Sequence, residues 1–552
     1  MKNGLCRLFA GVNDGDTLTL EKGKIYHIRP EDSYDLKGYY VSNTANTSEK
    51  PLGQRNTAML LQNKKNVTID GNGAVVMVHG KMTPFLFDRC ENVTVRDLTV
   101  DYACPTMTEF TVLSNEDGVC LLRFNPDNRF RIDGNTLYFR GEDGPDGAPY
   151  WEQESDAGNR FVRIYDPAAK LCRGIGSDQL SFTEIEQTDE LTIRVRLKYP
   201  DADYVPGYVF QSRNIIRDQT GGLFQRCKNL ELLRLRVKFM HGLGIVSQFC
   251  ENVAFRDCDL TPGEGRTGAS TADFFQFSGC RGKLIVENCV ARGAHDDYIN
   301  VHGTHLQITE LSGDCRSMTV RFMHDQTWGM QAYEIGDRLE FIRWDTLRPY
   351  GEAVVTAFER LNGSDIRLTL DRPAPEGVIV GKDVVENATW TPDLYVHGCD
   401  FGPTHGRGVL CTTRGEVIVE NNRFYHLSCS PLVVEDDCNF WFESGYTTHV
   451  IFRNNEVIGC NSMLNYIDAP VIRYSPKVMN ENSREFVHGK LTLTGNTFRE
   501  SYTGRHTVRL EYLENAEILD NTFDAPLMIS AKMCGDVRLE GNHTPKNCQE
   551  TG

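Results

Sequence analysis

One phrase recurs along the chain in variants, and it constrains the fold more than any composition figure. It reads NKKNVTIDGNG at 63 to 73, CENVTVRDLTV at 90 to 100, CKNLELLRLRV at 227 to 237, CENVAFRDCDL at 250 to 260 and CRGKLIVENCV at 280 to 290. It returns as RGEVIVENNRF from 414, THVIFRNNEV from 448, GKLTLTGNTF from 489, NAEILDNTF from 515 and GDVRLEGNHT from 535. Each copy is a short β-branched strand ending in an Asn or Asp turn, and neighbouring copies often fall 21 to 33 residues apart. Periods of that size belong to stacked supersecondary units. Leucine-rich repeats share the period but carry a regular leucine pattern and a helix or its equivalent, and no 3.6-residue stripe is present here. Strand, Asn turn, strand is the pattern of an all-β fold, a right-handed parallel β-helix, whose turns stack at about 4.8 Å. Asn422, Asn455, Asn496, Asn521 and Asn542 then have a structural reason: Asn tolerates left-handed corners and ladders its amides.

The phrase is missing from two intervals. Residues 106–220 carry TEFTVLSNEDGVCLLRF and ELTIRVRLKY, and 304–390 carry SMTVRFM, DRLEFIRW, GEAVVTAF and SDIRLTL. These are alternating strands joined by Gly, Asp and Asn turns, which predicts two small antiparallel barrels or sandwiches inserted into the coil. The coil itself then comprises 1–105, 221–303 and 391–552. Insertions in a solenoid map to one face, often the binding face, and the second is placed to wall a site at its root.

A net charge of -17 repels phosphate backbones and anionic membranes, so nucleic acid is not expected as a partner. Carbohydrate, gripped by carboxylates and aromatic faces, suits the composition. No segment is long and apolar enough to span a bilayer. The opening MKNGLCRLFAGVNDGD shows no export signal, so the expected location is cytoplasmic, or that of an exported protein expressed without its signal. The 18 cysteines are scattered with no zinc-knuckle spacing, as expected for reduced core thiols.

The chemistry concentrates in GAHDDYINVHGTH, 293 to 305. Aligning DFFQFSG (273 to 279) with DYINVHG (297 to 303) puts Asp273 and Asp297 in one column on consecutive rungs, with Gly244 one rung earlier. Asp296 is adjacent, so three carboxylates converge. Like charges so close raise at least one pKa, and a protonated acid beside an ionised base is what glycoside hydrolysis needs. Turn capping, or pairing with Arg266, Arg281 or Arg292, is the plainer explanation. A continuous strand would bury one of the two adjacent Asp residues, so 295 to 297 are placed on a bend before the strand, with Asn300 and His302 facing the sugar. His295, His302 and His305 invite a metal, but 302 and 305 fall on opposite faces of a strand and no metal or other cofactor is expected. PLVVEDDCNFWFESG, 431 to 445, offers Trp441 as a stacking plane and Glu435 and Glu443 as hydroxyl acceptors. His241 and Arg414 are further substrate-binding candidates.

The runs DFFQFSGCRGKLIVENC, GAHDDYINVHGTH, RGEVIVENNRF and NFWFESG together resemble the α-1,3-galactosidases of glycoside hydrolase family 110, bacterial enzymes that remove terminal α-1,3-linked galactose from blood group B and linear α-galactosyl glycans. The resemblance implies a β-helix with inserted barrels, an inverting mechanism without metal, and a homodimer. Carried onto this chain it makes Asp273, Asp296 and Asp297 catalytic, with Asp296 as general acid and the other two holding the attacking water, although Asp296 and Asp297 could exchange roles. Two alternatives remain: a polygalacturonase-like hydrolase, whose Arg-x-Lys motif is not found in a matching rung, and a β-helical glycan binder without catalysis.

Overall fold

The computed structural model describes residues 2, 4–44, 52–158, 160–199, 203–463 and 470–545. Each turn of the coil gives one strand to each of three parallel sheets of twelve, eleven and twelve strands, a parallel β-helix. The recurring phrase builds the first two. In CENVTVRDLTV, the strand Glu91–Arg96 belongs to the first sheet and Thr99–Tyr102 to the second, with Asp97 at φ 56° turning the corner between them. Asp257, Asn288, Asn421, Asn454 and Asp520 take the same left-handed conformation at equivalent corners. Asn and Asp visit it at lower cost than other side chains, which is why the phrase ends as it does.

The residue after each corner points inward and forms a column. From Asn422 to Asn542 the column is a ladder: Asn422 Nδ2 donates to Asn455 Oδ1 (3.1 Å), Asn455 to Asn496 (3.1 Å), Asn496 to Asn521 (2.9 Å) and Asn521 to Asn542 (3.0 Å). Toward the centre of the molecule thiols take over, with the Cys399 amide donating to Asn422 Oδ1 and the Cys289 amide to Cys399 Sγ. None of the seventeen described cysteines is in a disulfide. The ladder amides are buried, so Asn455→Ala strips two donors of Asn422 of their acceptor, at about 1–3 kcal/mol each. Urea unfolding of that variant checks the size, and a loss below about 1 kcal/mol would mean the ladder adds little.

The third sheet positions the site. Its central strands Leu243–Gln248, Phe275–Ser278 and Val409–Cys411 are buried on both faces, whereas first-sheet strands such as Glu251–Arg256 alternate. Something must therefore cover its outer side, and two excursions flank it. Strands from Met107–Glu116 to Val209–Asn214 form a seven-stranded antiparallel sheet, backed by a three-stranded one through contacts such as Phe124 on Phe139. Strands from Leu306–Leu311 to Val384–Asn387 close a six-stranded barrel. Each has its own hydrophobic core. Only the second closes; the first is an open, sandwich-like pair of sheets rather than a barrel. Among the described residues no helix is long and apolar enough to cross a membrane.

Candidate active site

The strand Ile299–Thr304 begins only at Ile299, and His295 and Asp296 lie in a bend before it. Period two therefore fails at the two adjacent carboxyls, and both can turn toward the same side. Gln276 pairs with Asn300, and the Phe274 amide donates to the Asp297 carbonyl at 3.0 Å, so Asp273 and Asp297 share a column on neighbouring rungs. One rung earlier Ile245 pairs with Phe275, which puts Leu243, not Gly244, level with Asp273. Gly244 matters for another reason, since a Cβ there would collide with the carbonyl oxygens of Asp273 and Phe274. On the rung after Asp297, Gly406 is level with Asp296, and a Cβ there would strike the Asp296 carbonyl. The two rungs that carry the acids thus lie between two positions that admit no side chain.

The three carboxylates offer oxygens within 4.8 Å of one another. Asp273 and Asp297 are 2% and 1% exposed, while the Asp296 side chain keeps a third of its surface. Arg407 grips Asp297 through both oxygens (Nε to Oδ1 2.6 Å, Nη2 to Oδ2 2.7 Å), and Arg217 Nη2 donates to Asp296 Oδ2 at 2.6 Å. The Asp297 amide donates to Asp273 Oδ1 at 3.3 Å. Burial, then the charges of Asp296 and Asp297, push Asp273 well above the usual carboxylate range. Burial also raises Asp297, to about 6, against the pull of Arg407. For Asp296 burial is outweighed by the surrounding guanidiniums, led by Arg217 and Arg407, and it falls below its ordinary value. The three acids are thus split, with proton affinity raised at buried Asp273 and Asp297 and lowered at the partly exposed Asp296.

Two adjoining cavities meet over this trio. The inner one, about 550 Å³, is lined by all three carboxylates with Asn300, Glu435, Trp441 and Glu443. The outer one, about 510 Å³, has Asp296 as its sole carboxylate among the described residues and is walled by Phe161, Arg213 and Ile215 from the first excursion. Asp296 alone of the trio lines both. Asp437 shapes the loop between them: its carboxylate accepts from the amides of Asn439 (2.7 Å) and Trp441 (2.6 Å), and the Trp441 ring stacks on His324 of the barrel at 4.3 Å. Asn43 Nδ2 fixes Glu443 at 2.6 Å, and Arg473 holds Glu435.

Clustered carboxylates on the floor of an open cleft are groups that glycoside hydrolysis can use, and the relatives of the chain give its family. Residues 317–385, inside the closed barrel, match the model of GLAA-B beta-barrel domain II. Alpha-1,3-galactosidase A of Bacteroides fragilis is 32% identical over 554 residues, covering 97% of this chain and 88% of its own. Alpha-1,3-galactosidase A of Akkermansia muciniphila is 34% identical over 485 residues, covering 87% and 77%. The chain belongs to the α-1,3-galactosidase family. Alpha-1,3-galactosidase B of Bacteroides thetaiotaomicron, 31% identical over 522 residues (92% and 82%), extends the likeness to a second group of names. As a member of that family this protein is a glycosidase, and its substrate is a carbohydrate.

Of the residues expected to touch sugar in this α-1,3-galactosidase family member, Asn300, Glu435, Trp441 and Glu443 line the inner cavity, and Asn300 Oδ1 is buried there without a partner. Three others do not line either cavity. His302 lies beneath, its Nε2 accepting from Gln276 Nε2 (3.1 Å) and its Nδ1 donating to the Gly303 carbonyl (2.7 Å). His241 is buried between Asp218 (2.5 Å) and Thr106 (2.7 Å) in the root of the first excursion. Arg414 ties Glu340 and Glu386 of the barrel to the coil at 2.7 and 2.5 Å. The arginines considered as neutralising partners of the trio are spent elsewhere: Arg266 on Asp101, Arg281 on Glu251 and Arg292 on Asp400. His295 and His305 face Gln211 and the Asp437 carbonyl, so a cation at the trio would find no imidazole and would have to displace two guanidiniums. Sequence reasoning missed Arg217, Arg407 and Asp437. Arg407 was within reach, since Ile299 pairs with Val409 and the column Asp273, Asp297 continues to Arg407 one rung on.

Proposed function

We propose that this protein hydrolyses terminal α-1,3-linked galactose with inversion at the anomeric carbon, Asp296 protonating the glycosidic oxygen and Asp273 with Asp297 holding the attacking water. The observation that carries this is the position of Asp296 at the junction of two cavities. A galactose seated in the inner cavity with its acceptor in the outer one lays the scissile bond across that carboxyl. In the open cleft burial and the neighbouring carboxylates raise the proton affinity of Asp273. Seating a sugar excludes water from Asp296 and separates it from Arg217, both of which raise its proton affinity and draw the proton to it. Asp273 is then left ionised beside Asp297, and the pair is a base.

The spacing favours a second reading. Oxygens within 4.8 Å are closer than the roughly 6.5–9.5 Å usual for inversion and nearer the 5–5.5 Å of retaining enzymes. Against it, a nucleophile must reach the anomeric carbon, and both deep acids are almost fully covered, with Asp297 clamped through both oxygens. A water fills that gap more readily than a carboxylate. Proton NMR of the reaction on blood group B trisaccharide and on linear Galα1-3Gal separates the readings. β-Galactose appearing first supports inversion, α-galactose first makes a deep acid the nucleophile, and no galactose from either glycan sinks the assignment.

The pH profile follows from the same charges. Asp297 is raised to about 6, so protonation below that value removes the base and kcat/KM falls on the acid side from about pH 6 downward. An acid limb below pH 4 would show that Asp297 is not part of the base.

A further inference from the structure

We propose that the outer cavity binds an oxyanion carried by the acceptor sugar, so that the preferred substrates are α-galactosides whose next residue bears a sulfate ester or a carboxylate. This rests on the functional reading above, with galactose in the inner cavity and the acceptor in the outer one.

Among the described residues, the outer cavity is lined by six arginines, 163, 213, 217, 407, 473 and 509, against one carboxylate, Asp296. Three are matched: Arg217 by Asp296, Arg407 by Asp297 and Arg473 by Glu435. Arg163, Arg213 and Arg509 have no carboxylate partner among the described residues. Arg163 and Arg213 are 8% and 3% exposed. Their internal hydrogen bonds run from one Nη1 each, to the Val162 and Asn214 carbonyls, and the Nε of both is buried without a partner.

Taking an uncompensated guanidinium out of water costs several kcal/mol, and here two sit on paired strands of the first excursion, each 4.7 Å from the centre of the Phe161 ring. Burial and the neighbouring guanidiniums push Arg213 down to about 9, a repulsion that an anion in the cavity would relieve. The whole chain carries -17, so this cluster is not a by-product of a basic composition but a local reversal of it. A neutral sugar is held by hydroxyl hydrogen bonds and has no use for three unneutralised charges. A sulfate or carboxylate accepts the parallel N–H pairs that a guanidinium presents, in bonds about twice as strong as neutral ones.

The test compares kcat/KM for Galα1-3Gal with the same disaccharide monosulfated at each free hydroxyl of the reducing residue in turn, and with a uronic acid as the reducing residue. At least one anionic substrate is expected to exceed the neutral one by about tenfold or more, and that ratio to collapse toward 1 in Arg213→Gln and in the more exposed Arg509→Gln. Whether a sulfated or the uronic substrate leads tells the two anion sources apart. Ratios of 1 or below for every anionic substrate overturn the inference while leaving galactosidase activity standing. If no galactoside is cleaved at all, calorimetric titration with inorganic sulfate still decides: binding to the wild type that Arg213→Gln loses supports the anion site, and no binding to the wild type overturns it.

Discussion

Asp296→Asn lowers kcat on an α-1,3-galactoside by about 10²–10⁴-fold with little change in thermal stability. The side chain is partly exposed and its direct partner is Arg217, which an amide oxygen can still accept from. The loss is therefore chemical rather than structural. Its signature is leaving-group dependence. α-Galactosyl fluoride departs without a proton from the enzyme, so the variant recovers most of its rate on that substrate if Asp296 is the acid. Equal losses on fluoride and disaccharide would move the acid role to another member of the trio.

Arg407→Met has the second large effect, and it falls on folding as well as on activity. Arg407 spans both oxygens of a carboxylate that is 1% exposed. Removing one partner of a buried ion pair costs about 3–5 kcal/mol, because the remaining charge is stranded. Without the guanidinium, Asp297 rises further above its value of about 6. The sign is then fixed: a carboxyl whose folded pKa exceeds its unfolded one favours folding at low pH, and that advantage is lost as pH rises through the folded value. The variant is expected to sit closest to wild type near pH 4 and to fall away by pH 8 in denaturant titrations. Adding Asp297→Asn to Arg407→Met restores stability at pH 8 and leaves the enzyme inactive. A double variant as unstable as the single one would show that Arg407 acts through packing instead.

Much of the coil was legible because its cause is local. A left-handed corner selects Asn, Asp or Gly, an inward position beside it selects Asn or Cys, and both leave a mark at regular spacing. The two excursions were visible as breaks in that mark. The acid column was readable too, since rung alignment needs only the strand pattern. What did not follow were facts that depend on what covers an outward face. His302 alternates correctly with Asn300, yet it lies beneath a covering layer, because parity says which side a residue faces and not what rests upon it. Arg414 and His241 failed for the same reason, each being absorbed where an excursion joins the coil. Arg163, Arg213 and Arg217 come from the first excursion, which carries no coil phrase to align. Gly244 falls one position away from the acid column, an offset that only the strand register exposes.

Both excursions return the chain to its point of departure within their own sheets. Met107 pairs with Arg213, and Leu306 pairs with Val385. The coil must join Asn92 to Asn229 across 137 positions and Asp297 to Arg407 across 110. Left as open chain, those closures would carry the slow, non-local search that delays sheet-rich proteins. An excursion that folds first on its own core delivers its two ends side by side, and the next rung then meets a gap of a few residues. The topology favours an assembly in which the excursions fold first and the rungs follow, the bend that holds Asp296 and Asp297 being closed on its far side only when Gly406 seats against it.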